Sequence, residues 1–316
     1  MLGGDIGGTS TRILVAAYDG TPVGRGAAGG GNPVSHPETA AAALGTALGE
    51  ALDGVDPSRV RAAVVGLAGG SALQQPEMRV AFGRVWSESG VTGPVTYVSD
   101  LEVAFASGTA EPSGTLLIAG TGAVAGAVRD HRLVKVADGH GWLLGDDGSG
   151  FWLGREAARA TLRALDRGEV AGPLAASVLR ELGALEADVN DLRTHVINVL
   201  NTRPPVLLAD LAPLVTAAAA AGDPVAEAIS TEAARLLVQT VARVRDIDEH
   251  TPIVLAGSLT REDLSVGAKL RALIAGQFSG KVLSARDGLG GAAWLALASA
   301  DPAAATAEAR IRLVAT

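Results

Sequence analysis

The sequence predicts an α/β fold with two sizeable cores. Short apolar runs rich in β-branched residues end at glycine turns, and segments of helical composition separate them. Such alternation of strands and helices is typical of α/β proteins. The chain has 316 residues, of which 48% are hydrophobic and 19% charged. It is therefore long enough for two domains and has a globular composition.

The first half begins with two predicted strands, 2–6 and 11–18, separated by a glycine turn. A helix is predicted over 38–52 and a buried strand over 62–67. A further strand is predicted over 96–99, with Asp100 at its carboxyl end and a helix after it.

The second half repeats this beginning. After a loop at 111–114, strands are predicted over 115–119 and 123–128, joined by a second glycine turn. The alanine-rich stretch 150–246 is predicted to be largely helical. Strands at 253–256 and 281–283 and helices at 291–299 and 303–313 follow. A strand–glycine turn–strand unit thus opens each half, which indicates a duplication of architecture.

Composition excludes several functional classes. The chain has no cysteine, so disulfides, thiolate metal sites and cysteine nucleophiles are ruled out. Its formal charge of −8 argues against nucleic acid as a partner. No run of about 18 apolar residues predicts a membrane span, and the N-terminus does not resemble a signal peptide. We therefore expect a soluble, cytoplasmic protein.

The first glycine turn, Gly7-Gly8-Thr9-Ser10, is followed by Thr11 and is a candidate phosphate site. Glycines let a backbone approach a ligand closely, and exposed N–H groups with nearby hydroxyls can surround a phosphate. Asp5 precedes the turn and could hold Mg²⁺, directly or through water, because that ion prefers oxygen ligands. The same pattern also fits an ordinary hairpin with a solvated Asp.

The second turn, Gly120-Thr121-Gly122, imitates a dinucleotide-binding fingerprint but lacks its context. Its third glycine, Gly126, falls one place late, and strand and turn follow it instead of a long helix. No Walker-type loop is present either, because Lys281 is followed by Val282. What remains is a pair of hairpins, one in each half, which we expect to bind one nucleotide from two sides.

Asp100 is the candidate catalytic base. It follows a strand, where open α/β sheets place their ligands, and could accept a proton from a hydroxyl that attacks a γ-phosphate. Aspartate also suits a helix N-cap, and the two roles are compatible.

The segment from Gly139 to Trp152 is the most unusual in the chain. Adjacent carboxylates, Asp146 and Asp147, lie among five glycines and two tryptophans. Carboxylates can hydrogen-bond sugar hydroxyls, and indole rings can cover a sugar ring. We interpret the segment as a sugar-binding loop; the alternative is a structured connector whose aspartates cap the next helix.

Together these segments resemble the family of N-acetylglucosamine kinases and of the ATPases that activate benzoyl- and hydroxyacyl-CoA dehydratases. The most specific marker is Gly-Asp-Asp-Gly-Ser-Gly-Phe-Trp-Leu-Gly-Arg-Glu-Ala at 145–157. The resemblance covers nearly the whole chain, least at 165–250. It implies a two-lobed actin-like ATPase (ribonuclease H-like) fold with an interlobe cleft. The expected lobes are 1–112 plus the C-terminal helix 299–316, and 113–298.

The resemblance also implies roles for individual residues. Residues 5–11 and 120–122 resemble the two phosphate loops, Gly257-Ser258 the adenosine motif, and Asp100 the catalytic base. Asn32 and Asp146 match sugar-contacting residues of the family, and we expect Asp147 and His140 beside them. ATP and Mg²⁺ are the implied cofactors, and a homodimer formed through the second lobe is the implied assembly.

Departures from the family pattern bear on the substrate. Ala68 and Ala123 stand where serines are common, and His140 stands where the family has tryptophan. Fewer polar groups would then satisfy an acetamide, whereas Asp146 and Asp147 could meet an ammonium group. The sequence also resembles actinobacterial glucosamine kinases, so D-glucosamine is the expected acceptor and N-acetylglucosamine the alternative.

Two other functions compete with the sugar-kinase interpretation. A dehydratase-activating ATPase binds an iron–sulfur cluster through cysteines, which this chain lacks. A non-catalytic regulator that binds ATP and sugar stays open, although the sequence begins in a strand and shows no basic helix-turn-helix ahead of it.

Overall fold

The computed structural model describes residues 1–169, 172–184 and 189–315. Its strands are β1 (Leu2–Ile6), β2 (Thr11–Ala16), β3 (Pro22–Ala28), β4 (Ala63–Leu67), β5 (Val95–Ser99), β6 (Gly114–Ala119), β7 (Ala123–Arg129), β8 (Arg132–Asp138), β9 (Ile253–Ala256) and β10 (Val282–Ser284). Its α-helices are α1 (Ala40–Ala51), α2 (Pro76–Ser89), α3 (Asp100–Gly108), α4 (Gly150–Asp166), α5 (Pro173–Glu181), α6 (Val189–Thr202), α7 (Ala212–Ala220), α8 (Pro224–Ala242), α9 (Ser265–Gln277), α10 (Gly288–Ala300) and α11 (Ala307–Val314). The predicted α/β class is confirmed.

The chain forms two compact units. The first comprises Met1–Gly114, Val128–Val134 and Leu283–Thr316, and the second Thr115–Ala127 and Lys135–Val282. This division differs from the expected boundary, which assigned residues up to 298 to the second lobe. The reason is α10, whose buried face packs on β1 and α3 of the first unit.

The first unit is a sheet with helices on both faces. Its strand order is β3-β2-β1-β4-β5, in which β1 pairs antiparallel with β2 and parallel with β4. One face packs against α1 and α2, and the other against α3, α10 and α11. The packing of α10 is very close, because a Cβ atom on Gly3 of β1 would lie 2.3 Å from the Ala293 nitrogen.

Strands β3 and β8 and helices α2 and α9 were not predicted from the sequence. Strand β3 contains Gly24 and Gly26, and glycine weakens the strand signal. These glycines are needed for packing: a Cβ atom on either would lie 2.0 Å from a carbonyl oxygen of α1.

The second unit repeats the strand order of the first. Its sheet is β10-β9-β6-β7-β8, so β8-β7-β6-β9-β10 corresponds to β3-β2-β1-β4-β5, and β6 pairs parallel with β9. A single apolar cluster joins this sheet to α4–α9. The duplication of architecture predicted from the sequence is therefore present in the strand order.

Among the described residues, no single helix is long and apolar enough to cross a membrane. Only Pro205–Ala220 and Pro224–Ala242, two segments bent by 115° at their junction, meet the length and composition requirement together.

Candidate functional site

The first glycine hairpin connects β1 to β2 and presents an open backbone. The Gly7 nitrogen donates to the Ser10 carbonyl at 2.9 Å, which closes the turn. Gly8 and Thr9 are exposed, and a Cβ atom on Gly8 would meet nothing within 4 Å. The exposed part of the hairpin therefore has room for a ligand to approach its main chain.

Thr11 does not share this exposure. Its side chain is fully buried, and its hydroxyl has no hydrogen-bond partner among the described residues. As the first residue of β2, it lies on the same face as Ile13 and Val15, in the core. In this conformation Thr11 cannot contribute its hydroxyl to a phosphate site, unlike Thr9 and Ser10.

Asp5 lies at the start of the hairpin and pairs with Arg12. The Arg12 Nη2 is 2.5 Å from the Asp5 Oδ2, and the same guanidinium contacts Asp287 at 2.8 and 3.0 Å. Burial raises the pKa of Asp5, although Arg12 opposes this effect, and Asp287 and Asp100 add to it by charge repulsion. Three carboxylates and one guanidinium therefore interact at this edge of the first unit.

Asp100 is the first residue of α3, and one of its two carboxylate oxygens is already hydrogen-bonded within the protein. Its Oδ1 accepts hydrogen bonds from the Leu101 nitrogen and the Ser99 hydroxyl, both at 3.1 Å. Ser99 is the N-cap, in a capping box with Glu102, so Asp100 is oriented by the cap without being the cap residue. Asp100 lines an open cavity of about 350 Å³, which leaves it available to a ligand.

The cavity beside Asp100 is bounded by the glycines after β4 and by an ion pair between the buried Glu102 and the exposed Arg132. Gly69 and Gly70 line it, and so do Glu102 and Arg132. Glu102 is 5% exposed; it accepts from the Ser99 nitrogen at 2.6 Å and lies 3.4 Å from the Arg132 Nε. Its buried carboxylate thus fixes the start of α3, on which Asp100 lies.

Asn32 lies next to this cavity. Its Oδ1 accepts from the Val34 nitrogen at 2.8 Å, and a Cβ atom on Gly69 would lie 2.5 Å from that oxygen. The Asn32 nitrogen donates to the Gly7 carbonyl at 3.1 Å. The fold therefore brings Asn32, Asp100 and the first hairpin together within the first unit.

The second hairpin, between β6 and β7, is joined to the N-terminus of α4. The Gly120 and Thr121 carbonyls accept from the Gly150 and Phe151 nitrogens at 2.7 and 3.1 Å. A Cβ atom on Gly120 would meet nothing within 4 Å. The first N–H groups of α4 are thus used by the hairpin carbonyls and by the Ser149 cap, so what this hairpin offers to a phosphate is its own open main chain.

Asp146 attaches the segment 139–152 to this hairpin. It is 9% exposed, has a φ of +59°, and accepts from the Ala123 nitrogen at 3.1 Å. Burial raises its pKa, and the Ala123 hydrogen bond opposes that shift. The buried Asp138 accepts from the Asp146 and Asp147 nitrogens at 2.7 and 3.2 Å. Asp146 therefore has a structural role in the second unit beside its expected contact with sugar.

The aromatic residues of the segment divide between core and surface. Trp152 is buried in the core of the second unit, so it is not available to cover a sugar ring. Trp142 is 36% exposed and packs against Phe151, with ring centroids 5.4 Å apart and the ring planes tilted by 43°. His140 is exposed and Asp147 is partly exposed, so both are available to a ligand.

Gly257 and Ser258 follow β9 and are exposed. Gly257 has a φ of +91°, and a Cβ atom there would lie 2.3 Å from the Ala119 carbonyl oxygen. Only glycine fits this position, because both the backbone conformation and the space exclude a side chain. The predicted adenosine motif thus contacts the residue that precedes the second hairpin.

The carboxylate and imidazole side chains near the hairpins fit a Mg²⁺–nucleotide complex better than a metal site made of protein ligands alone. Within the described ranges, no group of three or more His, Cys, Asp or Glu side chains could hold a metal ion. Mg²⁺ in nucleotide sites usually takes one or two carboxylates, with waters and phosphate oxygens as its other ligands. Asp5, beside an open hairpin, meets this requirement.

Sequence reasoning missed Arg12, Asp287, Asp138 and the Glu102–Arg132 pair. The partners Arg12 and Asp287 are separated by 275 positions, and no local pattern joins them. Glu102 could have been found, since Ser99 and Glu102 have the spacing of a capping box.

Three comparisons relate this chain to known proteins. Residues 2–296 match the sequence pattern of the BadF/BadG/BcrA/BcrD ATPase family. An N-acetylmuramic acid/N-acetylglucosamine kinase from Clostridium acetobutylicum is 32% identical over 167 residues, and the match covers 50% of each chain. The present chain thus aligns with about half of the length of this curated relative.

Solved structures resemble the chain over nearly its full length. An inferred N-acetylglucosamine kinase from Chromobacterium violaceum is 26% identical, with a TM-score of 0.70 and coverage of 94% of this chain and 98% of that one. A ROK family glucokinase from Streptomyces griseus, solved with glucose and AMPPNP, is 20% identical, with a TM-score of 0.54 and coverage of 94% and 98%. The likeness to the glucokinase concerns the fold alone. Together, these structures confirm the predicted actin-like sugar-kinase fold.

Proposed function

The chain belongs to the BadF/BadG/BcrA/BcrD ATPase family. From its likeness to the sugar kinases above, we propose that it is an ATP-dependent kinase acting on the 6-hydroxyl group of an amino sugar. The observation that carries the proposal is Asp100. One of its carboxylate oxygens is fixed by the cap of α3, and the residue lines an open cavity large enough for a hexose.

Asp100 would act as the general base. An oriented carboxylate can accept the hydroxyl proton as the sugar oxygen attacks the γ-phosphorus, and can hold that oxygen in line. Asn32 and the glycines after β4 would bind other hydroxyl groups of the same sugar, which is supported by their proximity to the cavity.

The two glycine hairpins would hold the phosphates of ATP. This is supported by their exposed main chain and by the free space at Gly8 and Gly120. Gly257 and Ser258 would lie near the adenosine. Bound Mg²⁺ would neutralise charge on the phosphates, and Asp5 would hold it directly or through water.

We propose D-glucosamine as the acceptor. The proposal rests on Ala68 and Ala123, which offer no side-chain hydrogen bond to an acetamide, and on Asp147, whose partly exposed carboxylate could pair with an ammonium group. N-acetylglucosamine is the second candidate, because the names of the Clostridium and Chromobacterium relatives include that sugar.

The test is ATP consumption in the presence of Mg²⁺ with glucosamine, N-acetylglucosamine, glucose or no sugar. Turnover well above the others with glucosamine would support the proposal in full. Preference for N-acetylglucosamine would support the kinase and reject the first substrate. Sugar-independent hydrolysis, or no turnover, would reject the kinase proposal.

A further inference from the structure

Arg12 bridges two carboxylates that belong to distant parts of the first unit. Its Nη2 contacts the Asp5 Oδ2 at 2.5 Å and the Asp287 Oδ1 at 2.8 Å, and its Nη1 donates to the Asp287 Oδ2 at 3.0 Å. The guanidinium is planar and rigid, so contacts on both sides fix its orientation. The bridge therefore joins the strand pair β1–β2 to the beginning of α10.

The Asp287 end of this bridge is firmly anchored. Asp287 is the N-cap of α10, and its Oδ1 also accepts from the Leu289 nitrogen at 3.1 Å. Helix α10 itself cannot shift easily, because a Cβ atom on Gly291 would lie 2.1 Å from the Val103 carbonyl oxygen. Both Asp287 carboxylate oxygens are thus bound within the protein, and their fixed positions determine where the Arg12 guanidinium lies.

The Asp5 carboxylate, at the other end of the bridge, is held less completely than that of Asp287. Arg12 contacts only the Oδ2 of Asp5, and among the described residues no hydrogen bond reaches the Oδ1. The bridge therefore holds the carboxylate by one oxygen and leaves the other available. Two aspartates and one arginine also leave a net charge of −1, which attracts a cation more than a phosphate.

We propose that Arg12 is a positioning residue for the metal–nucleotide complex, which it serves by orienting Asp5 from its anchor on Asp287. The inference rests on the proposed function, since it assigns to Asp5 the role of holding Mg²⁺. Arg12 acts through Asp5 and does not contact the nucleotide. Partners that orient a metal-binding carboxylate typically contribute about 10- to 100-fold to metal affinity.

The experiment measures ADP binding by calorimetry, in excess MgCl₂ and again in excess EDTA. The ratio of the two dissociation constants is the gain in affinity that Mg²⁺ confers. For Arg12→Met we expect this gain to fall by about tenfold, with ADP binding in EDTA unchanged. Arg12→Lys should lose most of the gain as well, because an ammonium cannot bridge both carboxylates in the same geometry.

Two further variants separate positioning from general stability. Asp287→Asn keeps a good helix N-cap but weakens the ion pair with Arg12. It should therefore lower the gain in ADP affinity that Mg²⁺ confers, as the Arg12 variants do. Arg84→Gln removes an exposed Arg84–Glu88 pair elsewhere in the first unit and should leave the gain unchanged. Thermal unfolding of each variant confirms that the protein compared is folded.

An unchanged gain in Arg12→Lys and Asp287→Asn would overturn the inference. Equal weakening of ADP binding in MgCl₂ and in EDTA would also overturn it, because Arg12 would then contact the nucleotide itself. Failure of the wild-type protein to bind ADP under either condition would reject the proposed function together with the inference. A lack of sugar phosphorylation alongside normal Mg²⁺–ADP binding would reject the kinase proposal alone.

Discussion

Alanine at Gly8 or Gly120 should weaken nucleotide binding without weakening the fold. Neither glycine has a positive φ, and a Cβ atom at either position would meet nothing within 4 Å. The free space above these peptides is where we propose that phosphate groups lie. A methyl group there keeps a phosphate away from the main-chain N–H groups.

The expected magnitudes differ for stability and for binding. Replacing glycine by alanine at a compatible position changes the free energy of unfolding by at most about 1 kcal/mol, in the stabilising direction. A lost hydrogen bond to a charged phosphate costs about 1.5–3 kcal/mol, which corresponds to roughly ten- to a hundredfold in affinity. The matched control is Gly3→Ala, whose Cβ atom would lie 2.3 Å from the Ala293 nitrogen. Such overpacking should destabilise the first unit by about 1–3 kcal/mol.

The assay is titration with a non-hydrolysable ATP analogue, together with thermal unfolding of the same samples. Gly8→Ala and Gly120→Ala should lose affinity at an unchanged or higher melting temperature, and Gly3→Ala should lose melting temperature. If both hairpin variants bound the analogue as tightly as the wild type, the assignment of the hairpins to phosphate binding would be refuted.

Three other predictions concern carboxylates. Asp100→Asn should reduce kcat by orders of magnitude while the sugar dissociation constant stays nearly unchanged; steady-state kinetics near the native rate would exclude Asp100 as the base. Asp5→Ala should raise the Mg²⁺ concentration needed for half-maximal turnover, and an unchanged magnesium titration would argue against its role. The pKa of Asp146 is raised by burial, so the folded state binds this proton more tightly than the unfolded state does. Stability should therefore decline as pH rises from the ordinary aspartate pKa through the raised one, and Asp146→Asn should flatten that slope in denaturant titrations.

The predictable part of the site depended on local signals. Each hairpin turn begins with glycine directly after a β-rich run, so residues 7–10 and 120–122 could be identified as turns from the sequence alone. Asp100 could be placed because strand β5 ends one residue before it. The homodimer and the cytoplasmic location stay predictions.

The parts that were missed depend on tertiary contacts. The ion pair of Arg12 could not be predicted, because its partner Asp287, at the start of α10, is 275 positions away in the sequence. Trp152 was interpreted as a sugar platform, yet it belongs to the amphipathic core face of α4. Thr11 could have been corrected from the sequence, because strand alternation assigns it to the same face as Ile13 and Val15.

One main-chain oxygen joins two segments of the first unit. The Gly7 carbonyl accepts hydrogen bonds from both the Gly31 and the Asn32 nitrogens at 3.1 Å, so the first hairpin and the loop that carries Asn32 are joined at one peptide group. Under the proposed function these segments would bind the nucleotide and the sugar, and a ligand that displaced the Gly7 peptide would change the free energy of binding the other ligand. Linkage requires the effect to be reciprocal: the factor by which nucleotide changes sugar affinity equals the factor by which sugar changes nucleotide affinity. We therefore expect synergy between nucleotide and sugar binding to depend on this hydrogen-bond acceptor.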